Sequence, residues 1–331
     1  MRGPSLLILC LLILAGLTFF SMGIGRYPVS PGALWSWIVT GQCADDNLPV
    51  ILFNIRLPRL IGAIAAGGAL AMSGAAYQGM FRNPMVSPDI LGVSSGAGFG
   101  AALAILLSLP VVGIQLFSFV GGITAVLIAV SVSKTIGRSH DSVLVLVLSG
   151  IIISSLFGAL LSMLKYVADP DDKLPAITYW LMGSLANIRV NDLMVILPIL
   201  LVGSIPLMLV SWRLNVLSFG EDEARSLGVH TGWMRVLVIL CATLITASII
   251  SVSGIIGWVG LIVPHLARFV AGPNHRMLLP TSFLFGGIFM LLVDNVARSL
   301  VSVEIPIGII TAILGAPFFI WFLKKSSGKS W

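Results

Sequence analysis

Residues 142–165 read SVLVLVLSGIIISSLFGALLSMLK, an apolar run that meets no charge until Lys165, its last residue. A helix needs about 20 predominantly apolar residues to cross the hydrocarbon of a bilayer, and this stretch is long enough. Runs of the same kind recur on both sides of it. Together they predict spans at 5–23, 58–78, 91–109, 113–133, 142–165, 191–212, 234–254, 256–271, 278–300 and 306–323. Only short polar clusters separate them, so no soluble domain of useful size is left over. The reading is a single all-α domain over residues 1–331, a polytopic membrane protein with about ten transmembrane helices and one longer loop at about 213–232.

Composition supports the same solvent. The chain is 57% hydrophobic and 10% charged, where a soluble domain carries roughly 25% charged residues. The net charge of +6 is read loop by loop, because Lys and Arg collect on the cytoplasmic side of membrane proteins. No basic run with interleaved aromatics occurs, which argues against a nucleic-acid partner and leaves the lipid bilayer as the surroundings. Cys10 and Cys241 lie inside apolar runs and Cys43 stands alone in a loop, which is neither a disulfide framework nor a metal-ligand spacing. The stretch Leu6 to Phe20 follows Arg2 as a signal peptide would, but it lacks a small-x-small cleavage site and is read as a retained first helix.

Sorting the basic residues by side sets the orientation. With the N-terminus inside, Arg2, Arg82, Lys134, Arg138, Arg213, Arg225, Arg235, Arg268, Arg276, Lys324, Lys325 and Lys329 share one side; Arg26, Arg56, Arg59, Lys165, Lys173, Arg189 and Arg298 share the other. The larger group marks the cytoplasm, so both termini are expected there. Asp45, Asp46, Asp169, Asp171, Asp172 and Glu304 then fall outside.

Gly92, Gly96 and Gly100 recur every four residues in the third span. In lipid, close backbone approach at small residues is a main source of helix adhesion, so these glycines are read as packing positions, with the lining of a pathway as the other reading. Ser73-Gly74, Pro84 and Gly92 are echoed 180 positions later by Ser253-Gly254, Pro264 and Gly272, the faint trace an inverted repeat would leave.

Three arginines sit where arginine is costly. Arg56 and Arg59 bracket Leu57-Pro58 at the outer mouth of the second span, and Arg298 lies near the outer end of the ninth, one helical turn beyond Asp294. Charges at span ends can snorkel to the interface. They can equally form a guanidinium patch that receives carboxylates from a soluble partner in bidentate pairs. Asp294 is expected to pair with a neighbouring helix or with Arg298. In the longest inside loop, Glu221, Asp222 and Glu223 precede Arg225, and Gly228 follows. Acids suit the positive end of a helix dipole and glycine suits the left-handed position after a helix end. A short helix is therefore expected there, serving either as a capped connector or as a docking lever for a cytoplasmic subunit.

Nothing here assembles into an enzyme. His140, His230, His265 and His275 are too scattered for metalloprotease spacing, and no Ser–His or paired-carboxylate set falls inside the membrane. Gly328-Lys329-Ser330 imitates the end of a P-loop, but that motif needs a glycine where Leu323 stands. No cofactor or metal is called for.

Several ordered blocks resemble the iron-siderophore, haem and cobalamin permeases of the FecCD/BtuC type. They are Arg56-Leu57-Pro58-Arg59, Gly74 through Gln78, Asn83-Pro84, Leu91 through Gly98, Gly220 through Val229, Gly260 through His265, Asp294 to Arg298, Ile305 through Gly308 and Leu314 through Pro317. The resemblance covers nearly the full length. It implies the type II ABC importer permease fold in the cytoplasmic (inner) membrane. The implied partners are two ABC ATPase subunits, a periplasmic or surface-anchored substrate-binding protein and a second permease subunit, with a homodimer expected. Carried over residue by residue, it makes Arg56, Arg59 and Arg298 the docking residues for the binding protein. It makes Gly220, Glu221, Asp222, Glu223, Ala224, Arg225, Ser226, Leu227, Gly228 and Val229 the ATPase-coupling loop, and the fifth and tenth spans the pathway. An iron-siderophore chelate leads as cargo, with cobalamin, haem and molybdate-type oxyanions as alternatives. An ion-gradient-driven secondary transporter is the competing class, and Asp294 is the one buried acid it could use.

Overall fold

The computed structural model describes residues 3–25, 27, 29, 32, 48–136, 142–301 and 303–326. Arg2, Arg26, Cys43, Asp45, Asp46, Arg138, His140 and the stretch 328–330 lie outside the described residues. Among the described residues there are thirteen α-helices of six residues or more and no strand. They are α1 Gly3–Gly23, α2 Leu57–Phe81, α3 Val93–Leu106, α4 Val111–Ile136, α5 Ser142–Val167, α6 Lys173–Leu181, α7 Val190–Leu209, α8 Ser211–Leu217, α9 Glu221–Ser226, α10 Thr231–Ser253, α11 Val259–Ala271, α12 His275–Ser299 and α13 Ile307–Ser326. Seven helices are long and apolar enough to cross a membrane, and three shorter apolar helices, at 93–106, 259–271 and 307–322, stand where the third, eighth and tenth spans were expected. The chain is thus an all-α polytopic membrane protein.

The centre of the bundle is α2, whose residues from Leu60 to Phe81 are buried almost without a break. Its sequence explains the position. Pro58 stands in the first turn of α2, where the π-helical turn before it passes into α-helix, and the run that follows is mostly Ala and Gly. Each Gly would cost about 1 kcal/mol against Ala in a helix interior, but in lipid that cost is offset where glycine lets two backbones meet. They do meet. A Cβ placed on Gly67 would fall on the Gly286 carbonyl oxygen of α12, and one on Gly74 would fall on the Gly260 carbonyl oxygen of α11. The outer helices are chosen differently. α1 is mostly apolar all round; Leu6, Cys10 and Leu14, spaced by four, turn inward, as does Ser21 near its end. Much of the rest, including Ile8, Leu11 and Leu12, is exposed and suited to acyl chains.

The glycines of the third span divide. Cβ atoms at Gly96 and Gly100 would fall on the carbonyl oxygens of Gly121 and Phe117 in α4. Gly92 precedes α3 rather than lying on its face. It has φ +88°, caps the helix, and faces Ser154 of α5.

Several features depart from the sequence reading. α6 and α8 appear as separate short helices, and α11, at the eighth expected span, starts only at Val259, after Trp258 with φ +72°. α7 stops at Leu209 although it passes through Pro198 and Pro206. The lead-in to α2 includes a π-helical turn, Ile51–Arg56. Finally, the 180-residue echo joins unlike places: Ser73-Gly74 is mid-helix and Ser253-Gly254 ends a helix, while Pro84 lies in a turn and Pro264 within α11. Gly92 and Gly272, by contrast, are both positive-φ glycines that end a helix.

The connections define two ends. One gathers the end of α1, the start of α2, the end of α12 and the start of α13; the other gathers α8, α9 and the start of α12, where the His275 backbone N–H donates to Asn215 Oδ1 at 2.7 Å.

Candidate functional site

The first end carries the three arginines, and all are nearly enclosed: Arg56 is 4% exposed, Arg59 7% and Arg298 7%. Arg56 closes the π-helical turn and donates to the backbone carbonyls of Met22, in the last turn of α1, and of Tyr27 just beyond it. Gly25 makes the room, since a Cβ there would come within 2.9 Å of Arg56 Nη2. Arg59, in the first turn of α2, donates from Nε to Asp294 Oδ1 at 2.8 Å and from Nη1 to Glu304.

Arg298 lies one turn beyond Asp294 on α12. Its Nε faces Asp294 Oδ2 at 3.1 Å, an ion pair without hydrogen-bond alignment. Its other nitrogens donate to Ile24 O at 3.0 Å, Ser21 O at 3.1 Å and Asn295 Oδ1 at 2.5 Å. Asn295 in turn donates to Ser21 Oγ at 2.7 Å. Buried charge is tolerable only when paired and hydrogen-bonded; Arg59 and Asp294 meet both conditions, whereas Arg298 Nε and Asp294 Oδ2 are paired without a hydrogen bond and Arg56 is hydrogen-bonded without a carboxylate. The pairing of Asp294 with Arg298 is the one expected from their spacing. The bond to Arg59, 235 positions away, and the role of Glu304 were invisible in the sequence, where Glu304 read only as an acid on the outer side. Among the described residues the cluster holds three guanidiniums against two carboxylates, so one positive charge is in excess, and Arg56 meets only backbone oxygens.

The opposite end carries the acidic loop. The short helix expected between Gly220 and Gly228 is α9, Glu221–Ser226. Gly228 takes φ +78° and its N–H bonds to Arg225 O at 3.0 Å, while Val229 N bonds to Ala224 O at 2.9 Å, closing the helix as a left-handed glycine cap does. Ala224 is fully buried and seats α9 on the bundle. Of the three acids, Glu221 is held by Arg235 of α10 and lies 3.6 Å from Arg225. Asp222 and Glu223 are exposed. Two large apolar side chains flank them, Phe219 at 76% and Leu227 at 63% exposure. The loop therefore offers a firmly based acidic knob with an apolar residue on either side.

Between the ends, α5 and α13 present long apolar faces that this chain does not cover, including Ile152, Leu156 and Met163 on α5 and Ile313, Ile320 and Trp321 on α13. His265 and His275 are buried, and His265 lies 4.5 Å from the Phe322 ring, centroid to centroid. His230 is exposed. No group of three or more His, Cys, Asp or Glu among the described residues could hold a metal ion. The geometry places a buried guanidinium cluster at one end of the bundle and an exposed acidic knob at the other.

The sequence matches the FecCD transport family over residues 11–325. The chain belongs to the FecCD family. It is similar to the molybdate import system permease protein MolB of Haemophilus influenzae, with 44% identity over 96% of this chain and 94% of that protein. It is also similar to the cobalamin import system permease protein BtuC of Halobacterium salinarum, with 40% identity over 97% of this chain and 90% of that protein. A solved structure described as an inward-facing metal-chelate type ABC transporter superimposes with a TM-score of 0.87 at 41% identity, covering 97% of this chain and 99% of that one. A FecCD chain is the membrane permease of an ABC importer, and ATP is hydrolysed by a separate subunit. That division fits a chain with no catalytic set. It also implies ATPase and substrate-binding partners and a dimeric permease.

Proposed function

We propose that this FecCD permease carries an iron-siderophore-type chelate, delivered by a binding protein at the arginine end and driven by ATPase subunits at the α9 end. The observation that carries this reading is the opposed placement of an electropositive collar and an exposed acidic knob on one closely packed body. Two permease subunits, a homodimer, and two ATPases complete the importer. The arginine end faces outward and both termini face the cytoplasm, as the positive-inside count favours.

In this reading the collar attracts carboxylates of the binding protein, which speeds and orients docking. ATP binding draws the ATPase pair together, and α9 passes the movement to α10 through the Glu221–Arg235 bridge. The permease subunits then rock, opening the passage between α5 and α13 to each side in turn. An apolar lining suits this task, because a site that bound the cargo tightly would trap it. The metal-chelate type relative supports the chelate. A molybdate-type oxyanion is the second reading, favoured by the 44% identity to the molybdate permease.

The test is uptake into proteoliposomes holding the permease, its ATPase and its binding protein. Uptake should require ATP and the binding protein together. Accumulation driven by a sodium or proton gradient without the ATPase would remove the proposal. Equilibrium binding of a ferric siderophore and of molybdate to the cognate binding protein separates the two cargo readings.

A further inference from the structure

Of the two carboxylates on Arg59, one is locked and one is not. Asp294 is fully buried and shared with Arg298. The Glu304 side chain is 20% exposed and bonds only to Arg59 among its described charged neighbours. It sits in a short irregular segment between exposed Val303 and Pro306.

That segment is also the lead-in to α13. Ile305 N bonds to Ala297 O of α12 at 3.2 Å, Ile307 N to Gly183 O at 2.9 Å and Gly308 N to Met182 O at 3.1 Å. The last two tie the first turn of α13 to the end of α6, and the approach is close enough that a Cβ on Gly308 would fall on the Met182 carbonyl oxygen. One side chain thus joins a collar arginine to the start of a pathway helix.

We propose that Glu304 is a resident stand-in for the docking partner's carboxylate. It holds Arg59 in the undocked permease, and its exchange for the partner's carboxylate loosens the 303–308 lead-in to α13. This rests on the docking reading above. The exchange is balanced in charge, since one carboxylate replaces another on the same guanidinium. It is also selective, since displacing Asp294 would strand Arg298 while displacing Glu304 strands nothing. Glu304 acts here as a positioning residue, through Arg59.

The experiment uses the full permease–ATPase complex in nanodiscs and its binding protein. Glu304→Gln keeps the shape and removes the competing charge. Its expected effect is docking tightened about 5-fold, the order of a partly exposed ion pair, and faster amide exchange over 303–308 before any partner is added. In the unsubstituted complex, docking itself should speed exchange over the same peptide. Arg59→Lys, which keeps the charge but cannot hold two carboxylates in a fork, should dock more weakly. If Glu304→Gln leaves affinity unchanged or lower while Arg59→Lys weakens it, the stand-in role is wrong and the docking reading stands. If docking leaves exchange over 303–308 unchanged, the transmission to α13 is wrong. If neither substitution alters affinity, Arg59 is not a docking residue and both ideas fall together.

Discussion

Arg59 and Asp294 stand 235 positions apart in sequence and 2.8 Å apart in space, and their bridge fastens the first turn of α2 to the last turns of α12. The same two helices are brought together deeper in the bundle by Gly67 and Gly286. Charge at the mouth and close backbone contact in the middle therefore fix one rigid pair at the heart of the molecule.

The bridge sets the first expectation. Asp294→Asn keeps the volume but leaves Arg298 buried with no carboxylate, because Arg59 can fall back on Glu304 and Arg298 cannot. Breaking one side of a buried ion pair costs about 3–5 kcal/mol. A fall of that order in the stability of the purified subunit, read as a lower thermal midpoint in detergent, is expected. Asp294→Glu should recover part of it.

The glycine contact sets the second. Gly67→Val forces a branched side chain onto the Gly286 carbonyl, where neither backbone can yield without separating α2 from α12. Overpacking of this kind costs about 1–3 kcal/mol, and here it falls on two backbones already in contact. Gly16→Val, at a glycine with open space around it, is the control and should leave yield and monodispersity unchanged. Equal behaviour of the two variants on gel filtration would show that the close approach does not matter.

These two cases show what a sequence alone can yield here. The seven long spans were legible because hydropathy over about 20 residues is a strong signal, and α9 was legible because its acids and closing glycine carry a local mechanism. The partner of Arg298 could be found because it lies one turn away on the same helix. The partners of Arg59 could not, because pairing across 235 positions leaves no local trace. The buried face of an all-apolar helix such as α1 was equally hidden, since lipid and protein reward the same side chains. α6 and α8 were missed for a related reason: each is too short for a window tuned to membrane thickness.

Geometry at α9 changes which acids to test. Glu221 is occupied by Arg235, so Glu221→Gln should loosen the helix from α10 without altering what it shows to a partner. Asp222→Lys with Glu223→Lys reverses the exposed charge and leaves that bridge intact. The double variant is expected to lose copurification with the ATPase, or to hydrolyse ATP without moving cargo. Transport and copurification at the unsubstituted level would make α9 a mere connector.

The remaining prediction concerns Arg56, the collar residue with no described carboxylate. Its guanidinium meets backbone oxygens at the end of α1, where water can replace it more readily than deeper in the bundle, so Arg56→Gln should still fold and assemble. The substitution cancels the collar's excess positive charge without disturbing Asp294. A close charge pair across an interface is worth about 1.5–7 kcal/mol in double-mutant cycles, so docking of the binding protein should weaken by at least about 10-fold. Stimulation of ATPase activity by the binding protein should fall with it, while basal hydrolysis holds. Salt provides an independent check: long-range attraction between two approaching proteins is screened beyond about 10 Å at 0.1 M, so the unsubstituted complex should dock more slowly as salt rises and the variant should respond less. Equal stimulation and equal salt dependence in the two proteins would show that Arg56 serves only to anchor the end of α1.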